Sequence, residues 1–252
     1  MLSYERREEI ISYLSQHKSA TIEELSRKIF CSPSTVRRDL NFLQEEGQVR
    51  RTRGGVIYVE KDTYDPPYSS RMIDHFQEKQ LIAGYAEPLI EDNMTLFMDS
   101  SSTCTCLARK LKHFNNIKLL TNSPLLVYEL SQDSNVEVYC AGGKIYPKTN
   151  TLTGGEACKF IMQFHSDIFF TSCRGIDGQT GPTDFIGEAA QVKSFFSMNS
   201  TKTALLIDSS KFNHTYNYKT FHFSELDYII CDKAPDSSII DACKKNQVEL
   251  IY

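Results

Sequence analysis

Two groups of residues in this chain have the types and spacing to do chemistry. The first lies in residues 21–56, TIEELSRKIFCSPSTVRRDLNFLQEEGQVRRTRGGV, where Ser32, Ser34, Thr35, Arg37, Arg38 and Asn41 precede Arg50, Arg51 and Arg53. An arginine can fork onto the two acceptors of a guanine or clamp a phosphate, while serine and threonine more often hold backbone oxygens. The second group follows a series of apolar runs: Asp99, Ser100, Ser101, Ser102 and Thr103; Thr121, Asn122 and Ser123; Gly142 and Gly143; then Asp208, Ser209, Ser210 and Lys211. Taken singly, such runs are caps and turns. Their recurrence after successive strands points to a pocket for a polar ligand, with Lys211, Lys193 and Arg174 available to balance a negative charge.

The first group needs a helix that fits a DNA groove, and the start and stop signals supply one. Thr21 and Glu24 form a capping-box pattern, so a helix is expected from Ile22 with Ile22, Leu25 and Ile29 on its buried stripe. Phe30 and Cys31 make a turn, Ser32 is the N-cap of the next helix, and Pro33 suits its first position. On that second helix Val36, Leu40 and Leu43 share an inner face. Ser34, Thr35, Arg37, Arg38 and Asn41 then lie on or beside the outer one, the pattern of a recognition helix in the major groove. Gln48 to Arg51 and Val56 to Val59 read as strands flanking Thr52, Arg53, Gly54 and Gly55, a hairpin whose glycines permit positive φ. Such a wing brings Arg50, Arg51 and Arg53 to phosphates. Charge alone is a weak argument, because residues 1–60 hold 10 Lys+Arg against 9 Asp+Glu, a net of +1.

The second group needs a scaffold that gathers strand ends. Apolar runs at 95–98, 117–120, 136–140, 168–170, 204–207, 228–231 and 248–251 read as strands. Most are separated by helical stretches at 104–111, 124–130, 158–164 and 188–198, after a helical stretch over 75–89. This alternation predicts a mainly parallel sheet covered on both faces, which binds ligands outside the carboxyl ends of its strands. The hydroxyls and N–H groups of residues 100–103, entering a helix, could cradle a phosphate.

Composition is consistent with this plan. The chain has 252 residues, 40% of them hydrophobic, which suits two domains with ordinary cores. The expected division is a DNA-binding domain over 1–60, an extended linker over 61–70 containing Pro66 and Pro67, and an α/β domain over 71–252. No run approaches the ~18 apolar residues of a membrane span and no leader is legible, so a cytoplasmic protein without membrane partners is expected. The eight cysteines are scattered and read as free thiols, and the six histidines are too dispersed for a metal site. No cofactor is expected.

From Arg7 through Val56 the chain resembles the winged helix-turn-helix of the DeoR family of bacterial transcriptional regulators. The likeness is carried by Ser32, Thr35-Val36-Arg37-Arg38-Asp39-Leu40, Leu43, Gly47 and Arg53-Gly54-Gly55. It extends through Arg71, Glu78-Lys79, Ile82-Ala83, Asp99, Ser102-Thr103, Thr121-Asn122-Ser123, Gly142-Gly143, Gly154, Val192-Lys193 and Asp208-Ser209-Ser210-Lys211-Phe212. These are similar to the family's sensor domain, related in fold to ribose-5-phosphate isomerase and the CoA transferases. Two departures are Ser101, where the family usually has glycine, and Ser172-Cys173-Arg174, where it has a smaller glycine-bearing stretch.

The resemblance implies a DNA-binding regulator, more often a repressor of sugar-metabolism genes, whose operator affinity responds to a phosphorylated sugar. The implied DNA contacts are Thr21, Ser32, Ser34, Thr35, Arg37, Arg38, Asn41, Arg51, Arg53, Gly54 and Gly55. Those implied for the effector are the strand-end residues 99–103, 121–123 and 142–143 with Arg174, Lys193 and Lys211. A homo-oligomer, dimer or tetramer, is expected because paired half-sites need paired helices. The competing readings are a sugar-phosphate isomerase, for which Asp99, Asp177, Asp184, Glu188 or Asp208 would supply the base, and a DNA-binding protein whose larger domain only assembles.

Overall fold

In the computed structural model, residues 3–45, 48–52, 54–59, 66–132, 135–147 and 149–252 are described, and the chain divides into two units, Met1–Ser70 and Arg71–Tyr252. The first contains α1 (Ser3–His17), β1 (Ser19–Ala20), α2 (Ile22–Lys28), α3 (Pro33–Glu45), β2 (Val49–Thr52) and β3 (Gly55–Tyr58). Ile10 and Leu14 of α1, Leu25 and Ile29, and Val36, Leu40 and Leu43 of α3 close one core with Val49 and Val56 of the hairpin. The expected buried face of α3 is the one observed, and on α2 Leu25 and Ile29 are buried while Ile22, also expected there, is half-buried at the edge of this core. Helix α1 was not expected from the sequence: its apolar positions are few, and it has no capping signal comparable to Thr21.

The hairpin pairs Thr52 with Gly55 and Val49 with Tyr58, and β1 joins the outer side of β3 through Ala20 and Val56. This changes the reason for Gly55. It does not adopt a positive φ; a Cβ there would lie 2.3 Å from the carbonyl oxygen of Ala20, so glycine is required by the close approach of β1. Part of the extended linker expected over 61–70 is instead helical, since Tyr68–Ile73 forms α4 directly after Pro66 and Pro67. Residues 60–65, Gly47 and Arg53 lie outside the described residues.

The second unit continues with α5 (Phe76–Ala86), β4 (Thr95–Met98), α6 (Ser102–Ala108), β5 (Ile117–Thr121), α7 (Pro124–Leu130), β6 (Val136–Cys140), β7 (Lys144–Tyr146), β8 (Thr151–Thr153) and α8 (Gly155–Ile161). It ends with β9 (Ser166–Thr171), β10 (Gly175–Asp177), β11 (Gly181–Asp184), α9 (Gly187–Met198), β12 (Ser200–Ile207), β13 (Tyr218–Lys219), β14 (Tyr228–Cys231), α10 (Ser237–Asn246) and β15 (Glu249–Ile251). Seven strands form a parallel sheet in the order β15-β14-β12-β9-β4-β5-β6. Every expected strand is present.

Strand residues alternate between two cores. Leu96, Met98, Ile168, Phe170, Ala204 and Leu206 pack with Ile82, Ala83, Leu107 and Leu126 of α5, α6 and α7. Phe97, Phe169, Leu205 and Ile207 pack with Ile161, Val192, Phe196 and Ile239 of α8, α9 and α10. Burial on both faces explains why these strands read as unbroken apolar runs. The chain fills β4, β5 and β6 outward, then returns to β9 on the far side of β4 and proceeds outward again. Strand order reverses between β4 and β9, and that reversal opens the crevice in which open α/β sheets bind ligands.

Candidate DNA interface and effector site

Helix α3 presents the expected face. Ser32 caps it, its Oγ accepting from the Thr35 amide at 3.3 Å and lying 2.9 Å from the hydroxyls of Ser34 and Thr35. Ser34, Arg37, Arg38 and Asn41 are exposed, and Thr35 is half-buried. Thr21 takes part in a complete capping box with Glu24, donating its amide at 2.7 Å and accepting the Glu24 amide at 3.1 Å, so its hydroxyl is engaged in starting α2. Asn41 and Arg51 act as a pair: Arg51 donates to Asn41 Oδ1 at 2.7 Å, and its backbone amide donates to Gln44 at 3.3 Å, tying the wing to α3.

Asp39 is turned away from Arg37 and Arg38. It lies among the arginines of α3 but is fully buried, receiving Arg6 Nε at 2.5 Å and Arg7 Nε at 3.3 Å from α1. Arg7 also stacks over Phe42, 3.6 Å from the ring centroid. Asp39 therefore locks α3 to α1, while Arg37 and Arg38 are exposed on the outer side of the helix.

In the second unit, the expected residues gather at the carboxyl ends of the parallel strands. The loop after β4 is organised by Asp99, which is buried and accepts from Ser101 N at 2.9 Å, Thr171 Oγ1 at 2.9 Å and Ser172 N at 3.2 Å. Ser101 caps α6 by accepting the Cys104 amide at 3.2 Å with φ −74°, a conformation that does not demand glycine. Ser100 and Thr151 share a hydrogen bond of 2.6 Å. After β5, Ser123 caps α7, and the Asn122 amide group donates to Leu152 O at 3.0 Å. Gly143 has φ +118°, and a Cβ there would meet Thr153 O at 2.5 Å, so its glycine serves the β7–β8 hairpin; Gly142 is exposed. Thr103 Oγ1 and Asn122 Oδ1 are buried here with no hydrogen-bond partner among the described residues, and so is Asp208 Oδ2, whose contact is the ion pair with Lys211.

The cations divide into two settings. Lys193 is engaged internally, donating to Ser172 O at 2.6 Å and Asp184 at 2.7 Å and lying 3.4 Å from Asp99. Burial opposes its charge, but Asp184 and Asp99 outweigh burial and raise its pKa. Lys211 lies 3.2 Å from both Ser172 Oγ and Asp208. Asp208 is buried too; desolvation opposes its charge, yet Lys211, the Ser210 hydroxyl and Lys79 hold its carboxyl far below the usual range.

Lys79, reaching the same cluster from α5, is buried and donates to the carbonyls of Arg71 and Asp74. Desolvation first and Lys211 second lower its pKa to about 8. Around Asp99 and Asp184 there is one lysine for two acids; around Asp208 there are two lysines, with the charge of Asp74 also acting on Lys79. Arg174 packs 5.8 Å from the Phe185 ring centroid.

Lys79 was legible only as part of the family likeness, because nothing in a lone helical lysine announces burial. Ser172, which connects the two clusters through Lys193 and Lys211, and Asp184, the partner of Lys193, were missed as binding-region residues since both lie in short segments without periodicity. The acids proposed for catalysis are all engaged: Asp99, Asp184 and Asp208 as above, Asp177 with the amides of Gln179 and Thr180, and Glu188 with Thr153 and Lys144. All eight cysteines are free, and no group of three or more potential ligands is placed to hold a metal among the described residues. Among those residues no helix is long and apolar enough to cross a membrane. A groove lined by Thr95, Lys118, Tyr139 and His165 opens near the amino ends of the strands and contains none of the strand-end residues.

Among solved structures, ribose 5-phosphate isomerase A from Methanocaldococcus jannaschii is similar with a TM-score of 0.42 and 15% identity, covering 55% of each chain. The DeoR-like helix-turn-helix domain matches residues 6–62, and the DeoR C terminal sensor domain matches residues 74–233. The L-fucose operon activator of Escherichia coli is 33% identical over 230 residues, covering 90% of this chain and 94% of its own. The HTH-type transcriptional repressor GlcR of Bacillus subtilis is 31% identical over 253 residues, covering 100% and 96%. The HTH-type transcriptional regulator GolR of Listeria innocua is 30% identical over 232 residues, covering 92% and 91%. With both units matched in order and relatives of this kind aligned over nine-tenths or more of the chain, the chain belongs to the DeoR family of transcriptional regulators.

Proposed function

We propose that this regulator is a cytoplasmic repressor of sugar-metabolism genes that binds operator DNA as an oligomer through α3 and the wing, and changes its operator affinity when a phosphorylated sugar binds at the strand ends. Ser34, Thr35, Arg37, Arg38 and Asn41 meet the groove, and Arg51, Arg53 and the turn at Gly54 and Gly55 meet phosphates, with Thr21 and Ser32 positioning the two helices. The observation that supports the effector reading is the meeting of two buried or half-buried lysines, Lys79 and Lys211, at Asp208, on the strand-end side of the sheet that also holds the unpartnered buried oxygens of Thr103 and Asn122. A phosphate dianion suits the cations. Sugar hydroxyls suit Thr103 Oγ1, Asn122 Oδ1 and the hydroxyls and amides of residues 99–103, 121–123 and 142–143. Arg174 borders the pocket, and Lys193 holds its floor together.

Coupling follows from what Lys79 touches. Its ammonium binds the carbonyls of Arg71, in α4, and Asp74, just after it, while feeling the charge of Lys211 and Asp208. An anion that draws Lys79 toward Lys211 therefore competes with the carbonyls that fix the segment leading from the DNA-binding unit, and differential binding of this kind shifts a two-state equilibrium. A thermal-shift panel of phosphorylated sugars tests the site. A true effector at 100 times its dissociation constant stabilises the unit that binds it by about 2.7 kcal/mol. The absence of a shift across a broad panel leaves a larger domain that serves assembly alone.

A further inference from the structure

The later turns of α3 and the wing strand β2 meet through carboxamide side chains. Ser34, Arg37, Arg38 and Asn41 stand at i, i+3, i+4 and i+7, so they share one exposed stripe of the helix. Arg51 of β2 reaches the end of that stripe and donates through a guanidinium nitrogen to Asn41 Oδ1 at 2.7 Å. Its backbone amide donates to Gln44 Oε1, one turn further along α3, at 3.3 Å. Contacts on successive turns thus hold β2 alongside the helix.

Chemistry fixes which way these amides face. A guanidinium carries five N–H donors and no acceptor, so it is the oxygen of Asn41 that turns toward Arg51, and the planar fork then directs Nδ2 away from the wing. A backbone N–H is likewise only a donor, which orients Gln44 in the same sense. The positive charge beside Oδ1 polarises the amide, making Nδ2 a stronger donor and leaving Oδ1 a poorer acceptor for anything else. An asparagine reads adenine by donating to N7 and accepting from N6, whereas guanine presents two acceptors, N7 and O6. An asparagine whose oxygen is held by an arginine therefore fits guanine and disfavours adenine.

We infer that Asn41 reads a guanine in the operator, and that Arg51 is the positioning residue that sets this preference by holding the Asn41 oxygen, its other N–H groups serving the neighbouring phosphate. The wing in this arrangement contributes to base selection as well as to affinity. The inference rests on the reading above that α3 enters the major groove, and it is independent of the effector.

The test is selection of duplexes from a random-sequence pool by the purified full chain. The parent is expected to enrich a site with guanine at one position whose preference Asn41→Ala relaxes, the other positions being unchanged. Asn41→Asp keeps the shape and the contact with Arg51 but removes the outward donor, so it is expected to bind the guanine site at least ~5-fold more weakly than the parent, the discrimination of one base contact. Arg51→Met frees the oxygen and is expected to admit adenine beside guanine at that position, on top of a loss of affinity common to all sequences. Circular dichroism matching the parent's shows that each variant folds, and Arg51→Ala replaces Arg51→Met if the latter does not. A base other than guanine at the Asn41-dependent position would overturn the inference, as would Arg51 variants that weaken all sequences equally and keep the preference intact. Selection unchanged in both Asn41 variants would overturn it too. If Arg37→Ala then still alters selection, α3 remains the reading helix; if it does not, the reading on which the inference rests falls with it.

Discussion

At the residue scale, the structure separates side chains that look alike in the sequence. Arg37 and Arg38 are exposed on α3, whereas Arg6 and Arg7 are engaged with Asp39. Arg37→Ala is expected to weaken operator binding by ~10- to 100-fold, the range for losing one good base or phosphate contact, while leaving sugar-phosphate binding unchanged. Fluorescence anisotropy with operator DNA and calorimetry with the effector check the two halves. Lysines divide in the same way, Lys193 held by internal acids and Lys79 left with a pKa of about 8 by burial and by Lys211.

That value has a sign. An unfolded lysine titrates near 10.5, so between about 8 and 10.5 the unfolded chain binds more protons, and the contribution of Lys79 to stability rises with pH across that window. A dianion beside Lys79 raises its pKa, so effector binding just above pH 8 is expected to take up protons, measured by calorimetry in buffers of different ionisation enthalpy. Lys79→Gln is expected to abolish the uptake; uptake unchanged in that variant would remove Lys79 from the site.

At the scale of elements, local signals were legible where backbone chemistry is local. The Thr21–Glu24 capping box and Ser32-Pro33 marked the starts of α2 and α3, and double-sided burial marked the seven strands. Helix α1 was not legible because Ile10 and Leu14 alone bury it, and β10, β11 and β13 were not because a small sheet of two- to four-residue strands has no periodicity to read. The roles of Asp39, Gly55 and Lys193 were hidden for another reason. Each is set by a residue distant in sequence: Arg6, Ala20, and Asp99 with Asp184.

Two substitutions test this. Asp39→Asn uncouples α3 from α1 and is expected to cost about 2 kcal/mol in urea unfolding, less than the ~3–5 kcal/mol of a fully buried pair because the arginines reach water. Gly55→Ala forces β1 away from β3. It is expected to lower both the unfolding midpoint and operator affinity, whereas unchanged values for both would mean that β1 does not constrain the wing.

At the scale of the whole molecule, two units with separate cores are joined through residues 60–73, and the charge cluster at the strand ends reaches that segment through Lys79. Linkage makes the coupling reciprocal: whatever factor an effector imposes on operator affinity, operator DNA imposes on effector affinity. The most direct measurement titrates operator DNA into the full chain with and without each member of a phosphorylated-sugar panel, for the parent and for Lys211→Ala. At least one sugar phosphate should change the parent's operator dissociation constant by ~5-fold or more, within the usual span of allosteric coupling, and Lys211→Ala should erase that change. An operator affinity that no phosphorylated sugar alters, or a response that survives Lys211→Ala intact, would contradict the placement of the effector at the strand ends.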